Sequence, residues 1–128
     1  MRFVDTNVWM YAVGRPHQLR EQARSLLRDA VRDGHRLFTS AEVLQELLHA
    51  YLPVGREATL ATAMQLATAS AQVVALEPAD VALAAQLHTQ HPGLGARDLV
   101  HLAVCLHHDA IALHTFDRGL AAAFDSAG

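Results

Sequence analysis

The chain lacks lysine, and it has a single cysteine among its 128 residues. Its ten formal cations are therefore all arginines. With one cysteine the chain forms no internal disulfide, which is typical of a protein from a reducing compartment. Cys105 lies between Val104 and Leu106 in an apolar segment, so we expect it in the core and not as a nucleophile.

Long apolar runs and a strong net charge are also missing, and aromatic residues are few. No stretch approaches the roughly 20 apolar residues of a membrane span, and Asp5 and Asn7 interrupt the opening segment, so no secretory leader is expected. The net charge is −3, which does not indicate a general polyanion-binding surface. We expect a soluble cytoplasmic protein with one domain, residues 1–128.

Short apolar runs alternate with helical patterns along the chain. The predicted strands are 2–5, 36–39, 72–76 and 110–115, and the predicted helices are 17–33, 40–52, 56–70, 79–90 and 96–108, with a helix beginning near Val8 and a last short one after Asp117. Thr39 and Glu42 predict a capping box. No hairpin signal occurs, so the pattern predicts an α/β fold with a short central parallel sheet of about four strands flanked by helices.

Two acids directly follow predicted strands. Asp5 ends the first and Asp117 follows the last, and the carboxyl ends of parallel strands lie at one edge of a sheet. Asp98 falls in the first turn of the helix after the loop 91–95, near the same edge. Taken alone, Asp98 could simply complement its helix dipole and Asp117 could cap a helix.

Glu46 is a different kind of acid, because it lies in the middle of a helix beside Val43 and Leu47. An isolated glutamate there is usually solvated, but one that borders an apolar face needs a partner or a metal. Four carboxylates at one edge repel each other unless a cation is present. Oxygen ligands of this kind suit Mg²⁺ or Mn²⁺, and such a cluster fits phosphodiester hydrolysis.

Four short segments, spread in order over nearly the whole chain, carry a family resemblance. They are residues 4–7 (VDTN), 39–47 (ending in LQEL), 96–103 (ARDLVHLA) and 115–119 (TFDRG). With these segments the chain resembles PIN-domain ribonucleases, most closely the VapC-type toxins of toxin–antitoxin pairs. The resemblance implies a three-layer PIN-like fold. Members of the family often have a further short strand after the last acid's helix, and this sequence has none.

The resemblance also implies roles for individual residues and partners. Asp5, Glu46, Asp98 and Asp117 would form a catalytic Mg²⁺ or Mn²⁺ site, with Asp5 and Asp98 as first-choice ligands. Thr6 or Asn7 would orient the first acid, and Thr115 would support the site by hydrogen bonding. The expected activity is RNA hydrolysis that leaves a 5′-phosphate and a 3′-hydroxyl. The expected partners are a second copy of the chain and a small antitoxin that blocks the site.

Several arginines are candidate contacts for RNA phosphate. Three of them, Arg15, Arg97 and Arg118, lie beside the predicted site. Another four form a stripe on the second helix, Arg20, Arg24, Arg28 and Arg32. A stripe of this kind is usually a solvated face, and an RNA or antitoxin contact is the alternative. Trp9, Met10 and Tyr11 are expected to pack in the core or at a dimer contact and not on RNA.

The nine histidines raise the question of another metal site. Glu46 and His49 form an E-x-x-H pair, as in carboxylate-bridged di-iron bundles, but the chain has one true copy and its predicted strands argue against a bundle. His101, one turn after Asp98, either holds the acids from behind or simply packs in its helix.

Two rival functions remain open at this point. In an α/β phosphohydrolase or phosphotransfer domain, Asp5 would be the nucleophile. Such domains usually need a lysine near the phosphoryl group, and dehalogenase-like ones need an aspartate where Asn7 stands. The other rival is a non-catalytic PIN-like module that only binds RNA or protein, and the presence of all four acids argues against it.

Overall fold

The computed structural model describes residues 1–127, and strands and helices alternate along them as the sequence predicts. In chain order the elements are β1 (Arg2–Val4), α1 (Thr6–Val13), α2 (Arg20–Arg32), β2 (Leu37–Ser40), α3 (Ala41–Tyr51), α4 (Glu57–Ser70), β3 (Gln72–Val74), α5 (Pro78–Leu87), α6 (Ala96–His107), β4 (Ala112–His114) and α7 (Arg118–Ala127). Within this part of the chain, no helix is both long and apolar enough to span a membrane.

The four strands form one parallel sheet in the order β3-β2-β1-β4. β1 is central, with Phe3 opposite Phe38 of β2 on one side and Leu113 of β4 on the other. Phe3 and Val4 are completely buried, as expected for a strand that is covered on both faces. The α/β prediction is confirmed, and all strands end at the same edge.

The buried side chains form two clusters. The larger one surrounds the sheet and includes Trp9, Phe38, Leu47 and Cys105. The smaller one lies between α5, α6 and α7 and includes Leu102 and Leu120. Trp9 and Cys105 are therefore core residues, as predicted, and burial raises the pKa of the Cys105 thiol far above its usual value.

The predicted capping box of Thr39 and Glu42 is wrong. β2 continues to Ser40, whose backbone is extended and whose hydroxyl accepts a hydrogen bond from the Val43 N–H at 3.2 Å. Thr39 is fully buried in the strand and donates to the Val4 carbonyl at 3.0 Å. The sheet register thus assigns the cap to the second of two adjacent hydroxyl residues, which local sequence cannot distinguish.

The start of α2 also differs from the prediction, because the helix begins at Arg20 and not at residue 17. The ring of His17 accepts a hydrogen bond from the Leu19 N–H at 3.0 Å, which closes a turn before the helix. The predicted stop is confirmed: Gly34 has a φ of +69°, and the next N–H, of His35, reaches back to the Ala30 carbonyl at 2.8 Å.

Asp80, in the first turn of α5, is a buried acid. It is only 2% exposed. Its Oδ2 accepts the Glu77 N–H at 2.8 Å, and its Oδ1 lies 2.5 Å from Nδ1 of His107 at the end of α6. This pair joins the first turn of α5 to the last turn of α6.

We predict that His107→Ala destabilises the protein by about 1–3 kcal/mol, because it leaves the buried Asp80 carboxylate without its partner. Urea unfolding measures the change. His88→Ala is the matched control, since His88 is exposed at the end of α5. Equal stability of the two variants would mean that the Asp80–His107 contact does not hold the helices together.

Candidate active site

Asp5 stands where the central strand ends and α1 begins. It is the N-cap residue of α1, is 5% exposed, and donates its backbone N–H to the His114 carbonyl at 3.0 Å. Its Oδ1 accepts the Thr6 N–H at 2.7 Å and its Oδ2 accepts the Thr115 hydroxyl at 2.7 Å. Both carboxylate oxygens are therefore fixed by the protein, and burial raises the pKa of Asp5.

The Thr115 hydroxyl is the centre of a small network. It donates to Asp5 and accepts the side-chain amide of Asn7 at 3.2 Å and the Asp117 N–H at 3.0 Å, which uses its full hydrogen-bonding capacity. Asn7 also accepts the Phe116 N–H at 3.2 Å. The network ties the end of β1 to the β4–α7 turn, so the two strand-end acids, Asp5 and Asp117, are positioned together.

Thr6 or Asn7 was predicted to orient Asp5, and the side-chain hydrogen bonds of both go to its neighbours. The Thr6 hydroxyl donates to Oε1 of Glu46 at 2.6 Å, while only its backbone N–H reaches Asp5. Asn7 acts on Asp5 through Thr115. Each of the two side chains thus holds a neighbour of Asp5.

Glu46 projects from α3 toward Asp5 and is not a solvated helix acid. Its Oε1 lies 2.5 Å from Nε2 of His101, in addition to the contact with Thr6. Burial favours its neutral form, but the hydrogen bond and charge of His101, the Thr6 hydroxyl and the charge of Arg97 outweigh burial and lower the pKa of Glu46. The carboxylate is therefore held in its ionised form.

His101 is 1% exposed and lies behind the acids. Its Nε2 is 2.5 Å from Glu46 and 3.6 Å from Oδ1 of Asp5. Burial works to lower the pKa of His101, but the hydrogen bond to Glu46 and the charges of Asp5, Glu46 and Asp98 raise it overall. Because two carboxylates face Nε2, this nitrogen carries a proton and donates to Glu46, so the histidine positions an acid and does not merely pack.

The sequence allows His101 either to position an acid or to pack in its helix. Its place one turn after Asp98, among apolar neighbours, favours the positioning role, because a buried imidazole needs a hydrogen-bond acceptor. The identity of that acceptor, on a helix 55 residues earlier, depends on the tertiary fold.

Asp98 and Asp117 complete the acidic group. Asp98 lies in the first turn of α6, where burial and then the charges of Asp117 and Asp5 raise its pKa to about 6. Asp117 precedes α7, and its Oδ1 accepts the Leu120 N–H at 3.0 Å, so it does cap a helix. Asp117 is therefore both the cap of α7 and a member of the acidic group.

All four predicted acids line one cleft of about 230 Å³, together with Thr6, Asn7, Met10, His49, Ala50 and Arg97. The tightest group of ligating atoms belongs to Asp5, Glu46 and His101, within 4.8 Å of one another. Since Nε2 of His101 donates to Glu46, the ligands left for a cation are carboxylate oxygens, the set that hard divalent ions prefer. The residues thus fit a divalent cation, which would offset both the burial and the repulsion that raise the pKa of Asp98.

The arginines are distributed unevenly around this cleft. Arg97 lines it, Arg15 lines a neighbouring recess, and Arg118 is exposed at the start of α7. In the predicted stripe, Arg24 donates to the Ala12 carbonyl at 2.9 Å and so fastens α2 to α1.

Two others of the stripe pair with acids of their own helix face. Arg28 lies 3.5 Å from Glu21, and Arg32 lies 3.1 Å from Asp29 and 2.9 Å from Asp33. These contacts favour the solvated-face interpretation of the stripe.

The geometry also bears on Asp5 as a nucleophile. Asp5 shares its cleft with three further acids, and both of its oxygens already accept hydrogen bonds, so it is not an isolated nucleophile. The arrangement instead suits a carboxylate that is held still as part of a larger acidic group.

We predict that Asp98→Asn stabilises the metal-free protein at pH 7.5. Folding raises the pKa of the Asp98 carboxyl to about 6, so the folded state binds this proton more tightly than the unfolded state does. The stability of the folded state therefore falls as pH rises from about 4 to about 6, and it stays lower at higher pH. The amide removes this loss, worth about 1–2 kcal/mol after allowance for solvent screening.

Urea unfolding in chelator at pH 7.5 and pH 4 checks this expectation. Most of the gain should vanish at pH 4, where the carboxyl is neutral in the folded state and about half protonated in the unfolded state. Asp125→Asn, an exposed position on α7, is the matched control. A loss of stability in Asp98→Asn at both pH values would contradict the electrostatic explanation.

Comparisons with known proteins agree with this site. The family model of the PIN domain matches residues 2–124. Ribonuclease VapC23 of Mycobacterium tuberculosis is 55% identical over 126 residues, which cover 98% of this chain and 100% of that protein.

Among solved structures, M. tuberculosis VapC20, a toxin that cleaves the sarcin–ricin loop, has a TM-score of 0.80 at 21% identity and covers 96% of this chain and 95% of its own. VapBC2 of Rickettsia felis, solved with a DNA fragment from its promoter, has a TM-score of 0.68 at 16% identity and covers 91% and 86%. These structures share the fold. The family match and the full-length identity to VapC23 identify the chain itself as a member of the PIN-domain family, among the VapC-type ribonucleases.

Proposed function

We propose that this chain is the toxin of a toxin–antitoxin pair, an endoribonuclease that depends on Mg²⁺ or Mn²⁺. The observation that carries the proposal is the convergence of Asp5, Glu46, Asp98 and Asp117, from four separate segments, on one cleft. Burial and mutual repulsion both make such a group unfavourable without a cation, and both raise the pKa of Asp98. The ribonuclease relative of 55% identity supports the reaction class.

Asp5 and Asp98 are the first-choice metal ligands, with Asp117 and Glu46 binding directly or through water. A divalent cation bound by these oxygens would activate water for attack on phosphorus and offset charge on the scissile phosphate. The Thr115 hydroxyl holds Oδ2 of Asp5, the Thr6 N–H holds Oδ1, and Nε2–H of His101 holds Glu46. Arg97, at the wall of the cleft, is suited to pair with a phosphate oxygen of the RNA.

The products expected from this arrangement are a 5′-phosphate and a 3′-hydroxyl. The proposed partners are the RNA substrate, a small antitoxin protein that blocks the cleft, and a second copy of the chain in a homodimer. The antitoxin follows from the family and from the VapBC2 pair among the structural neighbours. We propose the cytoplasm as the location and residues 1–128 as one PIN-like domain.

We predict that Asp5→Asn and Asp98→Asn each reduce RNA cleavage by more than about 100-fold. The loss of a metal ligand should reduce activity more than the loss of a group that only orients a ligand. The assay is cleavage of total RNA with Mg²⁺ or Mn²⁺, with and without chelator, followed by analysis of the product ends. Asp125→Asn, prepared identically, controls for contaminating nuclease. Full activity in Asp5→Asn, or cleavage that continues in chelator, would overturn the proposed function.

We predict that Thr115→Val weakens Mn²⁺ binding by about 10- to 100-fold, because Asp5 loses the hydroxyl that orients it. Titration calorimetry measures the affinity directly, without reference to activity. Thr115→Ser keeps the hydroxyl and is the matched control. If the valine variant binds Mn²⁺ as tightly as the serine variant, the network around Thr115 does not support the metal site.

A further inference from the structure

A second recess opens beside the acidic cleft. Its volume is about 310 Å³, and its walls come from α1, the α1–α2 loop, the end of α3 and the residue before α4. The side chains that give it its character are Tyr11, Arg15, His17, Tyr51 and Arg56, and we call it the Tyr11 recess. None of these residues belongs to the acidic group.

The Tyr11 recess adjoins the cleft, because Asn7 and Met10 line both. A chain molecule whose phosphate lies at the acids can therefore place its next unit in the recess. The volume is near the lower limit for ligand pockets and suits one nucleotide better than a helix of a protein partner.

The aromatic side of the recess has a fixed geometry. The rings of Tyr11 and His17 lie 4.6 Å apart at 34°, and Phe116 packs edge-on behind Tyr11 at 5.5 Å. Gly14 allows the chain to pass close to the last turn of α1, since a Cβ at this position would lie 2.8 Å from the Met10 carbonyl oxygen. Met10 and Tyr11 are only partly buried, and both line the recess.

The charge of the recess complements that of RNA. Within residues 1–127, neither Arg15 nor Arg56 pairs with a carboxylate, whereas Arg28 and Arg32 both do. The Arg56 guanidinium lies 5.9 Å from the centre of the Tyr51 ring and donates to Thr59 at 3.3 Å, which holds it at the rim. Unpaired arginines beside an acidic cleft provide the positive charge that a polyanion needs there.

We propose that the Tyr11 recess binds the nucleotide of single-stranded RNA that adjoins the scissile phosphate. The base stacks against the aromatic side, and Arg15 and Arg56 pair with the flanking phosphate. Aromatic stacking combined with arginine–phosphate pairing is how proteins bind unpaired RNA. The inference rests on the proposed ribonuclease function, and it makes the recess a determinant of where RNA is cut.

The test measures binding of a labelled single-stranded oligoribonucleotide of mixed sequence by fluorescence anisotropy, in the Asp98→Asn background with Mg²⁺. Arg15→Gln and Arg56→Gln should each weaken binding about fivefold and reduce the slope of log Kd against log salt by about 0.7. Tyr11→Leu should weaken binding about tenfold without a change of slope, and Tyr11→Phe should restore it.

The matched control is Arg36→Gln, which removes the same charge from an exposed residue before β2, at the opposite edge of the sheet. In the active protein, the recess variants should raise KM for the oligonucleotide more than they lower kcat. If the recess variants bind RNA as Arg36→Gln does, with the same salt slope, the proposal is overturned and a protein segment becomes the alternative occupant of the recess.

The outcome for the recess is separate from that for the proposed function. Cleavage by the otherwise unchanged protein with Mg²⁺ decides the function, and the binding series decides the recess whether or not cleavage is seen. If the protein cleaves RNA but the recess variants bind RNA normally, only the proposed nucleotide site in the recess is contradicted, and the ribonuclease function stands.

Discussion

The repulsion among four carboxylates in one cleft is the constraint on which the surrounding structure depends. Burial alone would neutralise these acids, and the pKa of Asp98 already moves in that direction. The protein resists this with fixed donors, namely the Thr6 N–H and the Thr115 hydroxyl at Asp5 and the His101 ring at Glu46. The negative charge that those donors leave uncompensated costs stability in the metal-free protein and would favour a bound cation.

The cleft lies at the seam between the two buried clusters. Asp5 follows β1 and Glu46 lies on α3, and both elements pack in the sheet cluster. Asp98 lies on α6, which contributes to both clusters, and Asp117 precedes α7, whose buried residues belong to the smaller one. His101 bridges the seam, since it sits on α6 and reaches Glu46 on α3. A cation bound by acids from both sides would link the clusters, which gives the site a structural as well as a chemical effect.

Much of this site could be predicted from sequence because strand ends and helix starts are local features. Asp5 and Asp117 follow strands, and parallel topology brings strand ends together. The contacts of Asp80 and His101 were harder to predict, because each depends on which distant helix packs against it. Thr39 and Ser40 illustrate the same limit at short range, since only the register of β2 decides which hydroxyl caps α3.

The Asp80–His107 contact has a consequence that reaches beyond the α5–α6 pair. His107 and Asp98 lie at opposite ends of α6, nine residues apart, so the helix works as a rigid lever of about 14 Å. A tilt of about 4° around the His107 end would shift Asp98 by about 1 Å, a displacement that can reduce a reaction rate about 100-fold. The position of an acid in the cleft thus depends partly on a contact at the opposite end of α6, about 14 Å away.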